Sequence, residues 1–217
     1  MTTAGGFLYP MLDAKERDAP ALLADLARSA EAKADESARL RTTSLAGLGE
    51  QLDRAADAMA RAFAAGGRLF CFGNGGSATD AAGLVALFTA PSHGWPLSAR
   101  SLVADTAVLT ALANDVGVEV LFSRQLLAHG RPGDIALGLS TSGGSANVLR
   151  ALTEARKAGM TTVGLSGYGG GAMRTCPGLQ HCLAVHAQSV HRTQEAQSAV
   201  AHALWQRVQD RFAGEEA

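Results

Sequence analysis

Four hydroxyls and two glycines stand together at Ser140-Thr141-Ser142-Gly143-Gly144-Ser145. Hydroxyls can donate to phosphate oxygens, and glycine lets backbone N–H groups approach an anion closely. An ordinary polar connection with one capping residue needs only one of those hydroxyls. A second glycine-rich stretch, Gly73-Asn74-Gly75-Gly76-Ser77, lies between the apolar run Leu69–Phe72 and a helix-like segment. Its composition predicts a buried strand, a tight turn and a helix whose N-terminal N–H groups favour phosphate, with Ser77 at the N-cap. Neither stretch contains the Gly-Lys-Ser/Thr of a Walker A loop, which argues against nucleotide hydrolysis. Acid–base chemistry has one candidate stripe near the C-terminus. His191, Glu195 and His202 are spaced four and seven residues apart, on roughly one helix face, where they could equally serve capping or subunit contact. His93, His129, His181 and His186 show no ligand spacing.

The segments around these residues alternate. Residues 1 to about 12 read as a tail, and two amphipathic helices follow, over about 12–41 and 44–65. Leu22, Leu23, Leu26 and Ala30 mark the stripe of the first. Leu45, Leu48, Leu52, Ala56, Met59 and Phe63 mark that of the second, which Gly66-Gly67 ends. After Gly73 the expected order is a helix from Ser77 to about Phe88 and a strand over 99–103. Asp105-Thr106 then cap a helix to about Asn114-Asp115, and 118–129 reads as another. Strands are expected at 135–139, 162–166 and 182–185, with a helix to about Lys157, a loop at 167–171 and a terminal helix over about 190–212. Strands separated by helices imply a parallel sheet covered on both faces, with ligands at the carboxyl ends of the strands.

Composition narrows the function classes. The chain has 217 residues, 47% hydrophobic, with a formal net charge of −1. Its mean hydropathy is +0.07. That charge gives no basic surface for nucleic acid, and no apolar run approaches membrane-spanning length. The start, Met1 to Phe7, lacks the basic and apolar regions of a signal peptide. Cys71, Cys176 and Cys182 form no Cys-x-x-Cys pair, so a reducing, cytoplasmic setting is expected, with Cys71 a small buried hydrophobe.

Several motifs resemble the phosphoheptose isomerase family of sugar-isomerase (SIS) domains, a group that includes the DnaA initiator-associating protein. They are Gly73-Asn74-Gly75-Gly76-Ser77 with Asp80-Ala81, Leu109-Thr110-Ala111 with Asn114-Asp115, and Phe122-Ser123-Arg124-Gln125. Arg131-Pro132-Gly133-Asp134, Ser140-Thr141-Ser142-Gly143 with Ser145-Ala146-Asn147-Val148, and Gln194-Glu195 continue the match in order over about residues 45–210. The resemblance implies a three-layer α/β/α sandwich with a five-stranded parallel sheet, flavodoxin-like, plus N-terminal helices. Residues 1–43 would form a tail and an oligomer-packing helix, and 44–217 the SIS domain. It further implies a homotetramer with sites between subunits. A sugar phosphate would be held by Asn74, Gly75, Ser77, Asp115, Ser140, Thr141, Ser142, Ser145 and Gln194.

Catalytic members of the family convert sedoheptulose 7-phosphate into a heptose 7-phosphate through an enediol. They use a glutamate on the helix after the first loop and a histidine on the last helix, and some bind zinc through those two, a further histidine and a glutamine. Here the first-helix histidine and glutamate positions hold Gly83 and Leu87, while Gln194 and His202 match the terminal pair. Leu87 cannot accept a proton and Gly83 offers no ligand, so no metal and no cofactor are expected. His202 is the candidate acid–base and Glu195 a weaker one. Three readings follow: a phosphosugar-binding protein with lapsed catalysis, an active ketose–aldose isomerase using His202 with another base, and a regulatory scaffold with a protein partner.

Overall fold

The computed structural model describes residues 19–187 and 189–215. The expected tail and the first residues of the first helix lie outside them. By internal packing the chain divides into two units, one ending at Arg39 and one starting at Leu40. The N-terminal helix α1 spans Ala19–Gly47. Leu23 and Leu26 of its apolar stripe are exposed, at 65% and 41%. The helix continues past the break expected near residue 42. Thr43 Oγ1 donates back to the Leu40 carbonyl at 3.2 Å, so a hydroxyl that would suit a turn is accommodated within the helix.

Helix α2 (Gly49–Ala64) buries Leu52, Ala56, Met59 and Phe63, the stripe expected from spacing. It ends in a Schellman motif. Gly66, at φ +81°, donates to Phe63 O at 2.9 Å, and Gly67 N donates to Ala62 O at 2.9 Å. The chain continues as β1 (Leu69–Gly73), α3 (Gly76–Thr89), β2 (Ala99–Ser101), α4 (Thr106–Asp115) and α5 (Leu121–His129). Then follow β3 (Ile135–Ser140), α6 (Ala146–Lys157), β4 (Thr161–Ser166), β5 (His181–Ala184) and α7 (Val190–Glu215). The single helix expected over 118–129 is a 3₁₀ turn at Val118–Val120 leading into α5. The loop expected at 167–171 is a kinked 3₁₀ segment over Tyr168–Thr175, broken by positive φ at Gly169, Gly170 and Gly171.

All strand pairs are parallel and the sheet order is β2-β1-β3-β4-β5. Alternation sorts the strand side chains between two cores. Leu69, Cys71, Ile135, Leu137, Val163 and Leu165 join α2, α3 and α7 on one face. Phe70, Phe72 and Ala136 join α5 and α6 on the other. Burying one such Leu, Ile or Phe is worth about 1.5–3 kcal/mol, so continuous apolar strands stabilise only when both faces are covered. Glycine lets α6 approach the sheet, since a Cβ on Gly138 would lie 2.8 Å from Val148 Cγ1.

The amino ends of β1 and β3 are tied by Asp134, which is 3% exposed. It accepts from Arg68 N at 2.8 Å, Arg131 N at 2.9 Å and Arg68 Nη2 at 2.8 Å. These charge-assisted bonds satisfy the buried carboxylate. The chain leaves β1 toward β2 on one side and returns to β3 on the other. The carboxyl ends of β1 and β3 therefore flank the crevice where such sheets bind ligands.

Candidate functional site

The two glycine–serine loops lie at that crevice. After β1 the backbone turns so tightly that a Cβ on Gly73 would sit 2.8 Å from Ser77 Cβ. The N-cap of α3 is Gly75, at φ +55°, rather than Ser77, because glycine alone takes that conformation without strain. Ser77 is the second residue of the helix and is buried. Its N–H donates to Asn74 O at 3.0 Å. Ala78 N likewise donates to Gly75 O at 2.9 Å, so the turn itself satisfies most of the first N–H groups, and the positive end of the α3 dipole lies at this turn.

After β3 the hydroxyls organise one another. Ser140 Oγ lies 2.9 Å from Ser145 Oγ and 3.4 Å from Ser142 Oγ. Ser142 Oγ accepts from Gly144 N at 3.1 Å. Ser140 is buried, Ser142 exposed, and Thr141 and Ser145 half-buried. Ser145 is the N-cap of α6 but makes no capping bond, since its hydroxyl turns toward Ser140. Gly143, at φ +64°, donates to Ser140 O at 3.1 Å and accepts from Met173 N at 2.8 Å. The segment after β4 thus props this loop from behind.

A reciprocal amide pair joins the two loops. Asn74 Nδ2 donates to Asn147 Oδ1 at 2.9 Å, and Asn147 Nδ2 donates to Asn74 Oδ1 at 3.0 Å. The sequence reading assigns Asn147 no role. Its only local signal is its place in the first turn of the helix after Ser145. Asp115 lies at the C-terminal end of α4, exposed, and accepts from Asn114 Nδ2 at 2.7 Å. An open cleft of about 620 Å³ runs beside the first loop, lined by Asn74, Gly75, Ala78, Ala82, Leu109 and Phe122 among others. Asp115 does not line it.

The terminal helix runs alongside α3. The Gln194 side chain covers Gly76, whose added Cβ would fall 2.1 Å from Gln194 Nε2. Four residues on, Ser198 Oγ donates to Asp80 Oδ1 at 3.4 Å. Burial pushes the Asp80 carboxyl above its ordinary value, and hydrogen bonds from Gln194 and Ser198 draw it partly back. Both contacts share one offset of 118 residues, so the helices run in parallel register. That register sets His202 level with Leu84, between Gly83 and Leu87. His202 is exposed and packs on Trp205, ring centroids 5.1 Å apart. Leu87 packs against the core, while a Cβ on Gly83 would meet nothing within 4 Å. Glu195 is turned to Arg192, Oε1 to Nη1 2.9 Å, and lies about 10 Å along the helix from His202. His191 is exposed. Among the described residues no three His, Cys, Asp or Glu side chains are grouped to hold a metal ion. Cys71 is buried, and burial raises its thiol far above the ordinary value.

Comparison with known proteins places this geometry. A family model described as the SIS domain matches residues 34–167. The phosphoheptose isomerase of Roseiflexus sp. (strain RS-1) is 44% identical over 153 residues, 69% of this chain and 76% of that protein. The phosphoheptose isomerase of Desulfovibrio desulfuricans is 47% identical over 148 residues, 65% of this chain and 69% of its own length. Among solved structures, the phosphoheptose isomerase of Neisseria gonorrhoeae superposes with a TM-score of 0.79 at 34% identity, covering 85% of this chain and 99% of that one.

Proposed function

Because the chain belongs to the phosphoheptose isomerase family of SIS domains, we propose that it binds a sugar phosphate while the isomerisation chemistry has lapsed. The phosphate would lie between the loops after β1 and β3, against the α3 N-terminus and the hydroxyls of Ser142, Thr141 and Ser145. Ser77 and Ser140 are buried and hold those loops in shape. The observation that carries the reading is the reciprocal Asn74–Asn147 pair, which locks two anion-binding turns side by side. Asp115 and Gln194 would face the sugar. Gly83 and Leu87, at the α3–α7 seam, leave His202 without the carboxylate that would move the second proton.

The test is thermal unfolding with millimolar sedoheptulose 7-phosphate. At a hundred times Kd, binding adds about 2.7 kcal/mol, several degrees in Tm for a domain of this size. Ser142→Ala with Ser145→Ala is expected to abolish the shift, and sedoheptulose without phosphate to give none. No shift in the wild type would remove the reading's main support. An active isomerase is the second reading, favoured by His202 being exposed on the same helix as Gln194. Turnover above background by the purified wild type would establish it. A scaffold role like that of the DnaA-associating relatives predicts a protein partner whose binding ignores both serine substitutions.

The family assembly is also a proposal for this chain. Helix α4 has no buried residue despite Val108, Leu109 and Leu112, and Val116 and Val118 after it are 47% and 56% exposed. Other copies would cover this face and the α1 stripe of the 1–43 segment, completing sites between subunits. Light scattering is expected to give four chains per particle; a monomer at micromolar concentration would refute it. No helix among the described residues is long and apolar enough to cross a membrane, and the three cysteines are free.

A further inference from the structure

A second cavity, about 350 Å³, opens beside β5, away from the paired loops. Arg174, His186, Cys182 and Gln51 line it with the apolar side chains of Leu40 and Leu48. Its volume is at the lower end for small-molecule sites, and its walls combine apolar surface with convergent polar groups. Arg174 is a cation without a carboxylate partner among the described residues; its hydrogen bond runs from Nη1 to Gly169 O at 3.3 Å. Glu50, next in sequence to the lining residue Gln51, is paired with Arg54 at 3.3 Å. Burial holds the Cys182 thiol above its ordinary value, with the Ser166 hydroxyl and then the Arg174 guanidinium drawing it only partly back.

We propose that this cavity is a second ligand site that takes a small organic anion, a carboxylate or a phosphate, whose charge meets Arg174 and His186 while its apolar part lies against Leu40 and Leu48. A glycine turn lies between this site and the phosphate loop. A Cβ on Gly169 would lie 3.2 Å from the His186 ring, and one on Gly170 would lie 2.8 Å from Arg174 Cβ. On its other side the same glycine turn packs on Ser142-Gly143, where a Cβ on Gly171 would lie 2.3 Å from Ser142 O. An anion held by Arg174 and His186 therefore braces the turn that supports the sugar-phosphate loop.

Cys182 reports on the cavity directly. The intact protein is treated with an anionic sulfonatoethyl and a cationic trimethylammonioethyl methanethiosulfonate, each rate normalised to that with free 2-mercaptoethanol. Labelling at Cys182 is read by peptide mass, separately from Cys176. The anionic reagent is expected to be favoured on the order of tenfold. Arg174→Gln should erase the preference; if that variant does not fold, Gln51→Glu places an opposing charge in the cavity and should do the same. Inorganic phosphate or acetate at millimolar concentration should slow the labelling, phosphate alone indicating a phosphate ligand and both indicating any small anion. All arms are repeated in Ser142→Ala with Ser145→Ala, where protection must persist, so that failure of the loops and failure of this cavity are told apart. No anionic preference, no labelling of the folded protein, or protection by neither anion would overturn the proposal.

Discussion

Gly83→His combined with Leu87→Glu is expected to raise turnover of sedoheptulose 7-phosphate by about 10²–10⁴-fold over the wild type. A positioned acid or base lowers a barrier by roughly 3–5 kcal/mol, and on the proposed reading Gln194 and His202 would supply the other half of the arrangement. The α3–α7 register that joins Gly76 to Gln194 and Asp80 to Ser198 extrapolates to His202 level with the turn that carries positions 83 and 87. An added Cβ at Gly83 meets nothing within 4 Å, so a side chain can start there without displacing a neighbour. Helix propensity favours Gly83→His, since glycine costs a helix about 0.8–1 kcal/mol relative to alanine, and is nearly neutral for Leu87→Glu. Leu87 is half-buried against the core, so Leu87→Glu alone should lower stability without adding activity. Activity in the double variant only would show that the wild-type site binds but does not turn over. Equal rates in wild type and double variant, with an active family member as control, would show that another group already supplies the base.

The second large effect is structural. Gly143→Ala is expected to cost about 2–5 kcal/mol, from the left-handed conformation and from overpacking together. At φ +64° an added Cβ would stand 2.1 Å from Gly170 O, a backbone atom that a rotamer change cannot move. Relief requires separating the loop after β3 from the segment after β4, which breaks the Met173 N to Gly143 O bond. That is a large share of the 5–15 kcal/mol typical of a whole domain. Urea unfolding should show a lower midpoint, and any folded fraction should fail to gain stability from sugar phosphate. An unchanged midpoint with full ligand response would mean the two segments separate readily, contrary to the packing described.

The strands and most helices were legible because their signals are local. Leu52, Ala56, Met59 and Phe63 recur at helical spacing, and Gly66-Gly67 ends that helix by its own backbone freedom. Asp105 caps α4 as expected, accepting from Val108 N at 3.1 Å. Less legible was the break between α1 and α2. One helix is expected to end near Arg41 and another to start near Ser44, yet the first continues to Gly47. The N-cap of α3 was misplaced for a related reason: a hydroxyl beside glycines looks like a cap, but backbone conformation settled the turn on Gly75.

By itself, the sequence determined the alternating elements, the two glycine–serine loops and the absence of a histidine and a glutamate at positions 83 and 87. These follow from residue type and spacing along a short stretch of chain. Only the tertiary structure decided that Asn74 pairs with Asn147, that Ser145 turns to Ser140, and that Gln194 covers Gly76. Those contacts join residues brought together by sheet order and helix register, and side-chain hydrogen bonds between separate elements leave no periodic trace in a sequence. The same holds for the cavity beside β5, where residues from 40 to 186 meet because an edge strand and its neighbouring helices leave a gap.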